Sequence, residues 1–269
     1  MEDPYSRELE AAVSAVRAAG DMYVGSEAGP SEEKTNAVGS YDLVTVSDEA
    51  AQKSIIDAIS AQFPGDLFIA EEGQENSLTC ARTWAIDPID GTLNFEHGIP
   101  MFGTQIVLMV DRKPVMSVIY LPVRGEMFTA TEAGGVKLNG VPVHPRGNTD
   151  LKKAIVSTGD FSRKKQVWRD LHYEIIGAMK DEVARIRMFG AACVDFAYIA
   201  SGRTDIHIRF VNKIWDFMPG LFMARVAGAY VDEEILEKTK FLLLAGTEEE
   251  AEAYREKVLS GIDLGRQSY

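Results

Sequence analysis

Cysteine and histidine are scarce in this 269-residue sequence, which limits the kinds of site that it can form. The two cysteines, Cys80 and Cys193, lie far apart and have no C-x-x-C spacing, which argues against structural zinc and favours a reducing, intracellular compartment. No two histidines have the spacing of metal ligands, so each is expected to be structural or exposed. They are His97, His144, His172 and His207.

Long hydrophobic runs and an excess of positive charge are also missing. No apolar run approaches the roughly 18 residues that a membrane-spanning helix needs, and the acidic first four residues do not resemble a signal peptide. With 41 acidic and 28 basic residues, the net charge of −13 argues against nonspecific binding to nucleic acid or to an anionic membrane. We therefore expect a cytoplasmic protein without a membrane partner, and a nucleic-acid partner is disfavoured.

What the sequence contains is typical of a globular α/β protein. Hydrophobic residues make up 46% of the chain, and no internal repeat is present. The first part, 1–150, combines helices with an antiparallel meander. A second α/β section, 151–269, follows a polar stretch around residue 150. We expect the two parts to form one compact unit.

The N-terminal region predicts a helix, a loop and a second helix. Apolar residues recur at helical spacing over 7–24, whereas 25–39 is rich in Gly, Ser, Glu and Lys and predicts a mobile loop. A short strand over 41–48 then leads into a helix over 50–63. Asp48 is expected to be the N-cap of that helix, and capping alone would account for an aspartate there.

The most informative stretch is WAIDPIDGTLNF, over 84–95. Its apolar start predicts a buried strand. Pro88 favours extended geometry in the residue before it, so Asp87 is held where the strand stops. Asp90 follows three residues later, and two carboxylates so placed suit a hard divalent cation such as Mg2+.

A phosphate site is expected beside this cation. Gly91 lets the backbone turn and approach a ligand closely. If a helix starts near Thr92, its free N–H groups can bind an anion. An Asp-Pro-x-Asp-Gly run is also a common turn, because each of these residue types favours tight turns. The stretch alone therefore leaves a simple turn as an alternative.

A second strand end carries acidic residues as well. The strand predicted over 67–70 ends in Glu71-Glu72-Gly73. If this strand and the one over 84–86 are neighbours in one sheet, their carboxylates meet at its edge. Taken alone, Glu71 and Glu72 would be a solvated pair in a loop.

The other predicted elements complete an α/β pattern. Asn139-Gly140 predicts a hairpin turn. Gly190-Ala191-Ala192 gives a helix start that allows close packing or close approach of a ligand, and packing is the simpler interpretation. The remaining strands are predicted over 102–110, 115–121, 126–131, 154–158, 185–188, 205–209 and 242–246, and the remaining helices over 168–179, 190–200, 215–227 and 248–259.

In this order, these stretches resemble the inositol monophosphatase family of Mg2+-dependent, lithium-sensitive phosphatases. The stretch over 84–95 matches the signature W-x-I-D-P-[IL]-D-G-T-x-N-F, and Trp215-Asp216 with the small-residue-rich helix after it matches a second signature. Further matches are Asp42-Leu43-Val44-Thr45-x-x-Asp48, Glu71-Glu72, Pro122-Val123-x-Gly125-Glu126-x-Phe128-Thr129-Ala130, Leu138-Asn139-Gly140 and Gly190-x-Ala192. The resemblance covers nearly the whole chain. It implies a layered αβαβα sandwich that usually forms a homodimer.

The resemblance also implies a metal site. Its ligands would be the carboxylates of Glu71, Asp87, Asp90 and Asp216 and the backbone carbonyl of Ile89. Carboxylate and carbonyl oxygens are the ligands that Mg2+ prefers. We expect two or three Mg2+ ions, with Mn2+ as a substitute and Li+ as an inhibitor.

Catalytic and substrate-binding roles follow from the same resemblance. Glu71 and Thr92 would orient and help to deprotonate an attacking water, and Asp48 would polarise Thr92. Gly91 and Thr92 would hold the phosphate through backbone N–H groups. The other residues expected to contact substrate are Asp90, Gly190, Ala191, Ala192, Arg209 and Asp216. Metal ions activate the water and offset charge on the leaving oxygen, so no residue needs to become a covalent nucleophile.

One departure from the family pattern bears on the substrate. Seven residues before Asp216, many inositol monophosphatases carry a Glu that accepts hydrogen bonds from inositol hydroxyls, whereas this sequence has Arg209. A guanidinium cannot accept hydrogen bonds and favours a phosphate or carboxylate. Relatives of the archaeal type that also hydrolyse fructose 1,6-bisphosphate are similar here. A surface ion pair is the ordinary alternative for Arg209.

The leading hypothesis is a phosphomonoesterase for inositol 1-phosphate or a similar small polyol phosphate. Fructose 1,6-bisphosphate, or both substrates, is the first alternative, and histidinol phosphate and 3′-phosphoadenosine 5′-phosphate are less favoured. A different class is a non-catalytic protein that keeps the fold for binding, for example a regulatory partner of RNA or of the transcription machinery. The presence of Glu71, Asp87, Asp90, Thr92 and Asp216 argues against a purely non-catalytic role.

Overall fold

The computed structural model describes residues 3–24, 31–33, 43–75, 81–148, 150–162, 165–211 and 213–268. The helices are α1 (Ser6–Tyr23), α2 (Val46–Ser60), α3 (Thr92–Glu96), α4 (Gln166–Met179), α5 (Ala192–Ala200), α6 (Ile214–Ala227), α7 (Glu233–Thr239) and α8 (Glu248–Tyr254). The strands are β1 (Ser31–Glu33), β2 (Leu43–Thr45), β3 (Leu67–Ala70), β4 (Gln74–Glu75), β5 (Thr83–Asp90), β6 (Gly103–Val110), β7 (Lys113–Leu121), β8 (Glu126–Thr131), β9 (Gly135–Leu138), β10 (Val141–Pro142), β11 (Ile155–Thr158), β12 (Arg185–Arg187), β13 (Ile206–Phe210), β14 (Tyr230–Val231) and β15 (Phe241–Ala245). None of these helices is both long and apolar enough to cross a membrane.

Two large sheets organise these strands. The first has eight strands in the order β10-β9-β8-β7-β6-β5-β3-β4, and only its β3–β5 pair is parallel. The second has five strands in the order β12-β11-β13-β15-β14, in which β11 is parallel to both of its neighbours. The chain passes from the first sheet to the second between β10 and β11. The proposed division into parts 1–150 and 151–269 remains a prediction.

Helices cover the outer face of each sheet and fill the space between them. Helices α1 and α2 pack on the outer face of the eight-stranded sheet. Helices α5 and α6 lie between the two sheets, and α4 and α8 cover the outer face of the five-stranded sheet. The order of layers is therefore αβαβα, which confirms the fold class that the sequence predicts.

Strand β6 illustrates why the central strands are apolar on both faces. Ile106 and Leu108 point towards α1 and α2, whereas Val107 and Met109 pack against Trp215 of α6. A strand that is covered on both sides needs apolar residues in succession rather than in alternation. The apolar run over 102–110 is the sequence signal of this double burial.

Two predictions for the N-terminal region are wrong in detail. Asp48 was expected to be the N-cap of its helix, but α2 already begins at Val46, so Asp48 lies in its first turn. Its side chain is fully buried instead of facing the helix end. Within the predicted loop over 25–39, Ser31–Glu33 forms a strand that pairs with Leu43–Thr45. The rest of that loop lies outside the described residues.

Elements in the second half are more numerous than the sequence predicts. The short strand β14 and the seven-residue helix α7 had no separate signal in the sequence. The last predicted helix, over 248–259, ends as an α-helix at Tyr254 and continues as a π-helix over Arg255–Leu259. Short elements carry little periodicity, so their boundaries depend on the packing around them.

The histidines have the structural or exposed positions that the sequence predicts. His97 and His144 are exposed. His207 is buried, with its Nδ1 atom 2.9 Å from Ser157 Oγ, and burial lowers its pKa well below the usual value. Burial lowers the pKa of His172 to about 4. Both buried imidazoles are therefore neutral at pH 7.

Glu250 in α8 is a fully buried carboxyl group. Burial raises its pKa to about 8 with a further contribution from Asp205, although the N–H of Gly246 donates to its Oε2 atom at 3.0 Å. In the unfolded chain the pKa returns to its ordinary value of 4.5. The folded protein therefore holds this proton where the unfolded chain has lost it, and stability falls as the pH rises from about 4.5 to about 8.

We expect Glu250→Gln to raise the melting temperature above pH 8 and to change it little near pH 4.5. Glutamine does not ionise, and its amide oxygen can still accept the hydrogen bond from Gly246. Thermal unfolding of both proteins across this pH range measures the difference. Glu249→Gln, at the exposed neighbouring position, is the control and should show no gain that depends on pH. A difference that stays constant across the range would contradict the expectation.

Candidate metal and phosphate site

The two acidic strand ends predicted from the sequence lie side by side. Strands β3 and β5 are parallel neighbours, with Ala70 opposite Ile86. The N–H of Glu71 donates to the Ile86 carbonyl at 3.3 Å. Glu71 therefore leaves β3 beside Asp87, as expected if both strands deliver carboxylates to one edge of the sheet.

Strand β5 does not stop at Asp87, as the sequence suggested, but continues through a bulge to Asp90. Asp87 pairs with Gln105 and Asp90 with Gly103, so two residues of β5 face the single residue Thr104 of β6. In a regular strand, residues three apart point to opposite faces. The extra residue of the bulge offsets this alternation. The bulge thus allows both carboxylates to serve one site.

Gly91 is the point where β5 turns into α3. Its φ angle is +89°, and a Cβ atom there would lie 2.8 Å from the Cβ of Ala191. Glycine is therefore required both by the left-handed backbone and by the close approach of the next segment. Helix α3 begins at Thr92, which confirms the predicted helix start.

The Thr92 hydroxyl lies between two of the predicted functional groups. It is 3.0 Å from the carbonyl oxygen of Ile89 and 3.4 Å from Oδ1 of Asp48. Having one proton, the hydroxyl donates to one of them at a time, and the shorter distance favours Ile89. The Asp48 carboxylate thus lies within reach of the Thr92 hydroxyl, although the predicted role of Asp48 as an N-cap is wrong.

Helix α5 approaches the same site from a distant part of the chain. Gly190 has φ +75°, and a Cβ atom there would lie 2.9 Å from the Asn94 side chain. The backbone N–H groups of Ala192 and Cys193 donate to the Asp90 carboxylate. The small residues over 190–192 therefore allow backbone contact with Asp90, and not only the close packing that is their simpler interpretation.

Asp216 enters the site from the first turn of α6. Its carbonyl oxygen accepts a hydrogen bond from Nε2 of Gln105, at 3.2 Å. Burial raises the pKa of Asp216 to about 8, with a further contribution from the charge of Glu71. The second signature is thus held next to the first by a buried side chain of β6.

The carboxylates of the site raise one another's pKa values. Burial is the main cause for Asp87, whose pKa lies well above the ordinary value, and the charges of Glu71, Asp90 and Asp216 add to it. Burial also raises the pKa of Asp90, although the N–H of Cys193 opposes this shift. Several buried carboxyl groups that disfavour one another's ionisation are typical of a functional site.

Whether these residues fit a metal can be judged from their surroundings. Among the described residues, no three Asp, Glu, His or Cys side chains form a ready-made cluster of metal ligands. However, Oδ1 of Asp87 is buried and has no hydrogen-bond partner among them. A buried carboxylate without a partner is costly, and a cation would offset that cost. The set of oxygen donors therefore fits Mg2+.

Arg209, on β13, lies beside this acidic site. Its charge lowers the pKa values of Asp90 and Asp216, and its guanidinium carbon lies 5.6 Å from the centre of the Phe196 ring. Its Nε and Nη1 atoms are buried without a hydrogen-bond partner among the described residues. These N–H groups could therefore donate to a bound anion.

Sequence reasoning missed several residues that hold the site in place. Gln52, one turn after Asp48 on α2, donates from Nε2 to the Glu72 carbonyl at 2.7 Å and accepts from the Glu72 N–H at 3.0 Å. This pair of bonds fixes the backbone directly after Glu71. The other missed residues described above are Gln105 and Cys193. None belongs to an acidic or glycine-rich motif, so their only signal was a polar residue within an apolar pattern.

Comparisons with known proteins agree with this geometry. A family model described as the inositol monophosphatase family matches residues 5–259 of the chain. The Nus factor SuhB of Escherichia coli (strain K12) is 35% identical over 226 residues, which are 84% of this chain and 84% of that protein. The extragenic suppressor protein suhB from Bartonella henselae has a TM-score of 0.85 at 29% identity, covering 96% of this chain and 100% of that chain. An IMPase from Thermotoga maritima has a TM-score of 0.82 at 28% identity, again covering 96% and 100%.

Proposed function

Since the chain belongs to the inositol monophosphatase family, we propose that it is a Mg2+-dependent phosphatase for a small phosphorylated substrate. The observation that carries the proposal is the buried Asp87 carboxyl group. Burial and then the charges of Glu71, Asp90 and Asp216 raise its pKa, and its Oδ1 atom has no hydrogen-bond partner among the described residues. A divalent cation would offset the charge of these carboxylates, and a phosphate could then bind through the cation.

In this proposal the metal ligands are the predicted ones. They are the carboxylates of Glu71, Asp87, Asp90 and Asp216 and the carbonyl oxygen of Ile89. Bound Mg2+ would supply a Lewis acid that activates water and offsets negative charge on the leaving oxygen. Two or three ions are proposed from the family resemblance, with Mn2+ as a substitute.

The protein groups would orient the reactants and move a proton. Glu71 and the Thr92 hydroxyl would orient the attacking water, and Glu71 would accept its proton. Asp48, 3.4 Å from the Thr92 hydroxyl, would polarise it. Backbone N–H groups of Gly91 and Thr92 would bind the phosphate oxygens, because the first N–H groups of a helix have no partner within the helix.

Two substrates compete within this proposal. Inositol 1-phosphate, or a similar polyol phosphate, is the leading one, as the family resemblance implies. The second is a sugar bisphosphate such as fructose 1,6-bisphosphate. The buried Nε and Nη1 atoms of Arg209, which have no hydrogen-bond partner in the described part of the chain, favour it. A guanidinium binds an additional phosphate better than it binds hydroxyl groups.

Phosphate release from four substrates tests the proposal. They are inositol 1-phosphate, fructose 1,6-bisphosphate, histidinol phosphate and 3′-phosphoadenosine 5′-phosphate, each with and without Mg2+. We expect turnover that requires Mg2+ and falls at tens of millimolar Li+, as the family resemblance implies. Turnover that is unaffected by chelation of Mg2+ would contradict the proposal.

The same measurement addresses a binding role. The E. coli relative is named a Nus factor, which gives a specific reason to consider a regulatory function for this chain. Well-folded protein that turns over none of the four substrates would favour that alternative. We further propose a homodimer in the cytoplasm, and light scattering after size exclusion measures the subunit number.

A further inference from the structure

A buried chain of hydrogen bonds connects α1 to the bulge of β5. The Tyr23 hydroxyl lies 2.6 Å from Oγ1 of Thr104, and Thr104 donates from Oγ1 to the Pro88 carbonyl at 2.8 Å. Tyr23 and Thr104 are 2% and 0% exposed, so water does not compete for these bonds. These two hydrogen bonds link Tyr23 to Thr104, 81 positions later in the sequence, and Thr104 to the segment between Asp87 and Asp90.

The donor and the acceptor of each of these two hydrogen bonds can be assigned. A carbonyl oxygen can only accept, so the single hydroxyl proton of Thr104 is used on Pro88. The Tyr23 hydroxyl must therefore donate to Thr104. Burial raises the pKa of Tyr23, so this hydroxyl keeps its proton throughout the neutral range.

The hydrogen bond from Thr104 acts at the β-bulge, where the regular pairing of β5 with β6 is interrupted. Proline has no N–H to contribute to the strand ladder, and Thr104 is the only residue of β6 that faces Pro88 and Ile89. A peptide that departs from the ladder needs another restraint on its orientation. The Thr104 hydroxyl supplies that restraint at the Pro88 carbonyl, between Asp87 and Asp90.

We propose that Tyr23 is a positioning residue of the metal site, which acts through Thr104 to hold the Pro88 carbonyl and thereby the spacing of the Asp87 and Asp90 carboxylates. The inference deepens the proposed function and rests on it, because the spacing matters only if the two carboxylates bind a cation. Tyr23 itself contacts neither the cation nor the substrate in this proposal.

The ring of Tyr23 allows the hydroxyl to be tested alone. It packs edge-on against Phe95, with ring centres 5.6 Å apart, and at a tilt against Phe102, at 6.0 Å. Phenylalanine keeps these contacts and removes only the hydroxyl. The matched control is Tyr254→Phe, because Tyr254 is also fully buried but its hydroxyl has no hydrogen-bond partner among the described residues.

The test is Mg2+ binding to the full-length protein, measured by titration calorimetry without substrate. Tyr23→Phe is expected to weaken Mg2+ binding about three- to tenfold, which corresponds to the loss of one neutral hydrogen bond. It should also reduce the rise in melting temperature on addition of Mg2+. A purely structural role would lower the melting temperature equally with and without Mg2+. Tyr254→Phe should leave Mg2+ binding unchanged.

A double-mutant cycle tests the route through Thr104. Thr104→Val removes both hydrogen bonds, so Tyr23→Phe should cause no further loss of Mg2+ affinity in that background. Thr104→Ser keeps the hydroxyl and should bind Mg2+ nearly as well as the wild type. Mg2+ binding by Tyr23→Phe at wild-type affinity would overturn the inference and leave the proposed function standing. Failure of the wild type to bind Mg2+ would overturn both.

Discussion

Replacing Asp90 with asparagine is expected to lower Mg2+-dependent phosphatase activity by at least about a hundredfold. Loss of an outer-shell partner of a metal ligand already costs roughly 10- to 100-fold, and Asp90 is proposed as a direct ligand. Asparagine has the same shape, and its amide oxygen can still accept from the Cys193 N–H. The variant therefore removes the charge while it keeps the contact with α5. Phosphate release at saturating Mg2+ measures the effect.

The same variant should not be less stable than the wild type when Mg2+ is absent. The charge of Asp90 raises the pKa of Asp87, so its removal relieves repulsion between buried carboxylates. The melting temperature in a chelating buffer is expected to stay the same or to rise. Asp170→Asn, at an exposed position on α4 outside the site, is the control for both measurements. Wild-type turnover by Asp90→Asn would exclude Asp90 as a metal ligand.

Replacing Arg209 with glutamate is expected to shift the preference between the two leading substrates towards inositol 1-phosphate. The ratio of kcat/KM for inositol 1-phosphate to that for fructose 1,6-bisphosphate should rise at least about tenfold, because a charged hydrogen bond to a phosphate is lost and an acceptor for hydroxyl groups is gained. The substitution also removes a charge that lowers the pKa values of Asp90 and Asp216. Measuring both substrates at one Mg2+ concentration lets this effect on the metal site cancel in the ratio.

Two further variants at this position separate charge from shape. Arg209→Lys keeps the positive charge and should retain most of the turnover of the bisphosphate. Arg209→Gln has no charge and should lose turnover of the bisphosphate. Its gain in turnover of the monophosphate should be smaller than that of Arg209→Glu, because an amide both donates and accepts hydrogen bonds. A ratio of kcat/KM that is the same in all three variants and the wild type would remove Arg209 from substrate selection.

Much of the fold could be predicted because its longest elements carry strong local signals. Strands that are covered on both faces, such as β6, appear as continuous apolar runs, and α1 has clear helical periodicity. Errors occurred where tertiary contacts determine the local structure. Aspartate is favoured at helix N-caps, yet Asp48 lies inside α2, where it is buried and 3.4 Å from the Thr92 hydroxyl. Propensity is only a weak guide when such contacts compete with it.

The site could be predicted where its residues are close in the sequence and specialised in type. Gly91 and Thr92 are examples, since the turn and the helix start follow from the residues themselves. The supporting residues could not be found in this way. Tyr23, Thr104 and Cys193 act through hydrogen bonds to segments far away in the sequence, and the partner of each is known only from the folded chain. A glutamine, threonine or tyrosine within an apolar segment can have many structural roles, so its residue type does not identify its hydrogen-bond partner.

The outermost strands of both sheets have a consequence for how copies of this chain can meet. Among the described residues, β4 and β10 are the outermost strands of the first sheet and have two residues each, and Pro142 removes a donor from β10. The second sheet ends in the two-residue β14 and in β12, where Arg185 and Arg187 are exposed. Edge strands that are short, contain proline or carry exposed charged side chains offer an incoming strand few backbone N–H and C=O groups to pair with. Self-association is therefore expected to use side-chain surfaces, and not a sheet continued from one subunit into the next.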